Sequence, residues 1–247
     1  MAIRSPAINV MVKAAMKATR QLLRDFNEVE QLQVSKKGPG DFVSNADTAA
    51  ENTIVSELKH ARRDYGFVLE EGNEIESRDE LERRWIIDPL DGTTNFLHGI
   101  PHFAISIALE EAGEIVSAVI YEPTRDELFW AEKGKGAFLN DRRLRVSVRR
   151  DLEDSVLATG IPTLRGSDHA LYLKQLEAVM TRCSSVRRLG AAALDLAYVA
   201  AGRYDGYWER GLHPWDIAAG LLIVREAGGY CTDYRNRDKA LASGEVV

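Results

Sequence analysis

The feature that most restricts what this chain can fold into is the run Trp85-Ile86-Ile87-Asp88-Pro89-Leu90-Asp91-Gly92-Thr93-Thr94-Asn95. Trp85 to Ile87 are apolar and rich in β-branching, the pattern of a buried strand. Pro89 cannot donate to a ladder and Gly92 permits a tight turn, so the strand is expected to stop at Asp88. Asp88 and Asp91 then stand at a strand exit, with the Leu90 carbonyl between them and the Thr93 and Thr94 hydroxyls beside them. Carboxylate and carbonyl oxygens with room for water and phosphate suit a hard cation such as Mg2+. Taken alone, Asp88 to Asp91 is better explained as an Asx-turn capping the next helix. The full run asks for more than a cap.

The rest of the chain bounds what this motif belongs to. With 247 residues, 45% of them hydrophobic, the chain can bury a large core as one domain or as two packed halves. Lys and Arg number 32 against 38 Asp and Glu, a net charge of −6 that argues against a general nucleic-acid or anionic-membrane surface. Cys183 and Cys231 are too few for a disulfide framework, which favours a reducing cytoplasm. The sequence has no run long and apolar enough to span a bilayer, and Met1 to Arg24 carry no signal-peptide core, so a soluble intracellular protein is expected.

Apolar residues from Ile8 to Phe26 recur with a helical period, so roughly the first thirty residues read as an amphipathic packing helix. Lys36 to Asp47, with Gly38-Pro39-Gly40, reads as a turn and short strand, and Asp47 opens a helix to about Arg62. There Asp47 is a first-turn acid facing the positive helix end. Gly66 to Gly72 is a strand ending in Glu70 and Glu71, and Glu70 shares a site with Asp88 only if their strands are neighbours. Ser106–Glu110, Ile115–Tyr121, Glu127–Ala131 and Gly136–Leu139 form an antiparallel meander, and His98 and His102 are loop residues supporting the site. From Ser155 onward strands (Val156–Thr159, Val186–Leu189, Tyr204–Glu209) alternate with helices (about Ser167–Thr181, Ala191–Ala201), an α/β layer. Charge density suggests a boundary near Arg149 to Glu153. Pro214 suits a first helical turn and Asp216 is either a helix-start acid or a distant partner for a second cation.

Together, Glu70-Glu71, Asp88-Pro89-Leu90-Asp91-Gly92-Thr93-Thr94-Asn95 and Trp215-Asp216-Ile217-Ala218-Ala219-Gly220 resemble the inositol monophosphatase family of Mg2+-dependent, lithium-sensitive phosphatases. Gly40 to Ser44 with Asp47, the Phe96-to-Ile107 segment and Arg188-Leu189-Gly190 also fit, so the likeness spans essentially the whole chain. The resemblance implies one domain over residues 1–247, a layered α/β/α/β/α sandwich with an antiparallel-rich first part (about 1–150) and an α/β second part (about 151–247), in a cytoplasmic homodimer. It implies one Mg2+ on Glu70, Asp88 and the Leu90 carbonyl, a second on Asp88, Asp91 and Asp216, and a weaker third held by Asp47 through water. Phosphate would meet the amides around Gly92 and Thr93; Gly190, Ala191 and Ala192 would line the substrate pocket, and Glu209 would contact substrate hydroxyls. Glu70 and Thr93 would orient the attacking water and take its proton.

Three departures stand out against the family pattern. Leu69 occupies a usual glycine position, Ala191 replaces a Ser or Thr after Arg-x-Gly, and the sequence ends at Val247 where a further strand and helix are expected. The expected reaction is hydrolysis of myo-inositol 1-phosphate, a small phosphate monoester. The alternatives are a fructose-1,6-bisphosphatase or a nucleotide (NADP or adenosine bisphosphate) phosphatase, with Arg188 or Arg210 meeting a second phosphate. A further alternative is a regulatory protein binding RNA or the transcription machinery. Arg142-Arg143-Arg145 and Arg149-Arg150 read as solvated faces, which speaks against a nucleic-acid groove.

Overall fold

Ser5 caps the first helix, its Oγ accepting the Ile8 amide at 3.3 Å, and Pro6 at the first helical position needs no amide partner. This helix, α1 (Pro6–Asn27), buries Ile8, Met11, Ala15, Ala18 and Leu22 along one stripe. The computed structural model describes residues 3–28, 34–38, 41–162 and 169–247. Pro39, Gly40 and the Ser167 start of the helix expected over about Ser167–Thr181 lie outside the described residues. An antiparallel pair, β1 (Val34–Gly38) and β2 (Asp41–Ser44), leads into α2 (Asn45–Ala61), which begins two residues before Asp47 because Ser44 is its cap.

The main sheet has seven strands in sequence order: β3 (Gly66–Leu69), β4 (Arg84–Asp91), β5 (Ala104–Glu111), β6 (Glu114–Glu122), β7 (Glu127–Glu132), β8 (Gly136–Leu139) and β9 (Arg142–Arg143). Only β3 and β4 are parallel; the others form the expected meander. The β5–β6 turn places Ala112 and Gly113 at φ +51° and +83°, the left-handed pair that matches strand twist in a two-residue hairpin. A short helix, α3 (Thr93–Leu97), follows β4 directly.

Alternation along β4 divides the core. Trp85 and Ile87 face α1 and α2, in a cluster with Ile54, Phe96, Ile105 and Trp130, while Ile86 points to the opposite face. There it joins Ala104, Ala118 and Phe129 against α5 (Ala192–Ala200) and α6 (Pro214–Glu226). A second sheet, in order β11 (Ser185–Arg187), β10 (Val156–Thr159), β12 (Gly206–Arg210), β13 (Glu245–Val246), packs on α5. Beyond it lies α4 (His169–Met180), whose Gln175 and Val179 line one hollow with Leu157 and Tyr207 of the sheet, and α7 (Ala240–Ser243) leads into β13. The layers therefore run α, β, α, β, α.

The middle layer is tight because α5 and α6 are built from small residues. A Cβ on Gly220 would fall 2.6 Å from the Leu196 Cβ, a contact rotation of Leu196 cannot relieve. Gly220→Val should cost about 3 kcal/mol, near the top of the overpacking range, and lower Tm by roughly 6–12 °C for a chain of this size. An unchanged thermal unfolding curve by circular dichroism would mean that the two helices do not pack this closely.

Candidate active site

The acidic run does not end its strand where sequence reasoning put it. β4 continues past Asp88 to Asp91, with Asp88 opposite Ser106 and Asp91 opposite Ala104, so three steps on β4 match two on β5. The extra residue is a bulge that takes up Pro89, whose missing amide could not join a regular ladder. The bulge bends the strand so that Asp88 and Asp91 belong to one site, and the Leu90 amide donates to Asp88 Oδ1 at 2.9 Å. Asp88 and Asp91 are both buried. Gly92 then turns the chain into α3 at φ +93°, where a Cβ would also press to 3.0 Å from the His102 carbonyl.

The hydroxyl of Thr93 lies 3.0 Å from both the Leu90 carbonyl and Asp47 Oδ1, and its single proton can serve one of them at a time. Asp47 is fully buried at the third position of α2, its Oδ2 accepting the Ser44 amide at 2.9 Å and the Ser44 hydroxyl at 2.5 Å. This reciprocal cap fixes its rotamer and leaves Oδ1 for Thr93. Two residues on, Asn95 Nδ2 donates at 2.8 Å to both the His102 and Leu189 carbonyls. The side chain thereby ties the acidic strand exit to the loop that enters α5.

That loop supplies the donors for Asp91. Its Oδ1 accepts the Ala192 amide at 3.2 Å and its Oδ2 the Ala193 amide at 2.8 Å, in the first turn of α5. Gly190 precedes them, and Ala191 is buried against Gly92. From the other half, Asp216 stands third in α6, where Oδ2 accepts the His213 amide at 2.6 Å, and Ser106 of β5 donates to the Trp215 carbonyl at 3.3 Å. The parallel register pairs Leu69 with Ile87, so Glu70 emerges beside Asp88 and hydrogen-bonds it.

These acids oppose one another. Burial pushes the Asp88 carboxyl well above its ordinary range, and the charges of Glu70, Asp91 and Asp216 push it further. Burial and Asp216 do the same to Asp91, against the pull of the Ala193 amide. Glu209, on β12, is raised to about 7, mainly by burial, while a hydrogen bond from Tyr207 at 2.5 Å and the Arg188 charge work in the other direction. Its carboxyl rests on Gly160, where a Cβ would collide at 1.8 Å. A buried set of carboxylates and one carbonyl, repelling in the absence of a cation, is a donor set for hard divalent ions. Among the described residues no three such side chains already close on a single point. Asp91 and Asp216 are instead turned to backbone amides.

Glu70, Asp88, Asp91 and Asp216 thus interact electrostatically, with the Thr93 hydroxyl alongside, in reach of both the Leu90 carbonyl and Asp47. Gly190 to Ala192 border Asp91, although the Ala192 amide is already engaged by it. His98 is exposed, and His102 is buried against Tyr198 with its pKa lowered to about 4 by burial and then by Arg125. Sequence reasoning missed the roles of Asn95, Ala193 and Gly160, and it missed Asp195. Asp195 is buried in α5 near Glu209 and Asp91, and burial followed by those two charges raises its carboxyl well above the usual range. Its spacing in a run of alanines and leucines was the one available signal. The larger hollows, about 780 and 860 Å³, are lined by other residues, so the chemistry and not cavity size marks the site.

The chain is similar to known proteins along nearly its whole length. The family model described as the inositol monophosphatase family matches residues 4–247. The inositol-1-monophosphatase of Rhizobium meliloti is 59% identical over 244 residues, covering 99% of this chain and 91% of the relative. The Nus factor SuhB of Xylella fastidiosa is 49% identical over 237 residues, 96% of this chain and 85% of that protein. The crystal structure of the extragenic suppressor protein suhB from Bartonella henselae superposes with a TM-score of 0.95 at 58% identity, covering 98% of this chain and 93% of that one.

Repulsion at Asp88 has a sign that can be measured. Because its folded pKa is raised above the ordinary 3.8, ionisation favours the unfolded chain, and this penalty grows as pH rises above that value. Asp88→Asn in chelator should therefore melt above the parent at neutral pH, the gap closing toward pH 3.8 and below. A Tm below the parent's at pH 7 would show that Asp88 is needed for the fold.

Proposed function

The chain belongs to the inositol monophosphatase family of phosphoric monoester hydrolases, and from that premise we propose that its substrate is myo-inositol 1-phosphate, hydrolysed to inositol and phosphate. The observation that carries this reading is the burial of Asp88 among Glu70, Asp91 and Asp216 beside the Thr93–Asp47 hydrogen bond. The donor set fits Mg2+. Glu70, Asp88 and the Leu90 carbonyl would hold one ion, Asp88, Asp91 and Asp216 a second, and Asp47 a weaker third through water. When bound, the ions supply Lewis-acid neutralisation of the phosphoryl charge and ease the ionisation of a water.

The protein's own groups then have separable tasks. The Thr93 hydroxyl orients a water oxygen toward phosphorus, and the Glu70 carboxylate accepts its proton as the phosphorus–oxygen ester bond breaks. The leaving inositol oxygen takes a proton from solvent. Amides at Gly92 and Thr93 receive the phosphate oxygens, and Gly190 to Ala192 border the ring. Glu209 accepts hydrogen bonds from vicinal hydroxyls and repels a second phosphate, which favours a polyol monophosphate over a bisphosphate. The same reading carries a cytoplasmic homodimer, to be checked by sedimentation. Among the described residues no helix is long and apolar enough to cross a membrane.

The relative named a Nus factor supports a second reading, a regulatory role with RNA or the transcription machinery on the same scaffold. If one molecule does both, Asp88→Asn should end hydrolysis while leaving such binding intact.

Phosphate release over inositol 1-phosphate, fructose 1,6-bisphosphate, NADP and adenosine bisphosphate tests the substrate, and a preference for any of the last three would replace the reading. Thr93→Ala should lower kcat by roughly 10²–10⁴-fold, the range for a lost proton-transfer contact, with Mg2+ affinity near normal. Loss of affinity with the same rate defect would make Thr93 a ligand. Glu209→Gln should raise KM for inositol 1-phosphate and narrow the preference over fructose 1,6-bisphosphate, and an unchanged ratio between the two substrates would remove Glu209 from selection.

A further inference from the structure

We propose that Glu51 is a positioning residue: its carboxylate fixes the turn that carries Glu70, so that α2 sets the spacing between Glu70 and Thr93. The proposal rests on Glu70 being a cation ligand, as argued above.

Glu51 is 5% exposed, an unusual place for a glutamate in a helix that has a solvent face available. Its Oε2 accepts the Glu71 amide at 3.0 Å, across twenty positions of sequence. Its Oε1 lies against Gly72, where a Cβ would approach to 2.9 Å. On the other side the Leu69 side chain folds back on the same glycine, with Cδ1 3.0 Å from that Cβ position. Glu70 and Glu71 are therefore enclosed in a turn clasped by Leu69 from within and Glu51 from outside. The large residue at 69 leaves the backbone less free than a glycine would, and the clasp selects one setting of it.

One helical turn earlier, Asp47 holds the Thr93 hydroxyl at 3.0 Å. Positions 47 and 51 lie on the same face of α2, separated by a rise of about 6 Å. A single rigid element thus holds the hydroxyl assigned to orient the attacking water and, through the Glu71 amide, the backbone that carries the carboxylate assigned to take its proton. Neither grip uses the oxygen atoms of Glu70 or the hydroxyl proton's alternative partner at Leu90. Carboxylates that orient ligands from behind in this way typically govern metal affinity by 10–100-fold.

The test is Mg2+ binding by calorimetry on the folded full chain, with hydrogen exchange at the Glu71 amide as a second readout. Glu51→Ala should raise the Mg2+ Kd by about 10–100-fold and speed exchange at Glu71. Glu51→Gln keeps an oxygen acceptor and should restore both to within about threefold, a recovery expected for a retained hydrogen bond. Glu51→Asp keeps the charge but is one methylene too short, and should behave like alanine; it decides the matter if the alanine variant does not fold. An Mg2+ Kd within twofold of the parent in both short variants, or a Gln variant as poor as Ala, overturns the proposal. Glu70→Gln run alongside separates the two failures. If Glu70→Gln weakens Mg2+ and the Glu51 variants do not, only the positioning role falls; if Glu70→Gln binds normally, the ligand assignment falls and takes this role with it.

Discussion

Repulsion among buried carboxylates at the exit of β4 is the constraint that the rest of the structure is arranged to withstand. Like charges brought together out of water favour separation or protonation, and Asp88 and Asp91 show this as pKa values displaced upward. The fold answers with backbone amides. Asp88 accepts Leu90, Asp91 accepts Ala192 and Ala193, Asp216 accepts His213, and Asp47 accepts Ser44. Each such bond satisfies one oxygen and fixes a rotamer without introducing a positive side chain that would compete with a cation. The remaining repulsion persists in the metal-free protein, a strain that binding of a divalent ion would relieve.

Meeting that constraint requires elements distant in sequence. Glu70 comes from the end of β3, Asp88 and Asp91 from β4, and Asp216 from the first turn of α6, so the site forms only when the two halves of the chain are packed. The middle layer makes this possible. Leu196 against Gly220 lets α5 and α6 run close, and Asn95 fastens the acidic strand exit to the loop entering α5. A single side-chain amide thus spans from the first sheet to the layer that supports the second.

Most of this architecture was legible in the sequence because it follows from periodicity and punctuation. The α1 stripe, the meander and the strand–helix alternation after Ser155 all appear close to where the residue pattern put them. The bulge at Pro89 did not, since proline excludes a regular ladder bond without saying whether the strand stops or absorbs an extra residue. Helix α2 begins before Asp47 because Ser44 and Asp47 act together as a reciprocal cap, which places the acid at the third position and not at the opening of the helix. Glu51, Asn95 and Gly160 were illegible for another reason. Their partners are a backbone amide, backbone carbonyls and a carboxyl far away in sequence, and a sequence pattern has no means of naming a backbone atom.

The division of labour between the halves bears on how one scaffold serves relatives with different names. The cation ligands proposed from the first half and Asp216 define a reaction, the breaking of a phosphate ester, without specifying what carries the phosphate. The groups proposed to face the rest of the substrate belong to the second half: Glu209 seated on Gly160 and held by Tyr207, with Asp195 and Arg188 nearby. Their balance is delicate, because Glu209 is pulled down by Tyr207 and Arg188 and pushed up by burial and Asp216. A change at Arg188 would alter the charge on Glu209, and with it the preference proposed for hydroxyls over a second phosphate, without touching Asp88, Asp91 or Thr93. On that proposal selectivity is able to drift while the chemistry stays fixed, since the two are held by different layers joined through Asn95 and the first turn of α5.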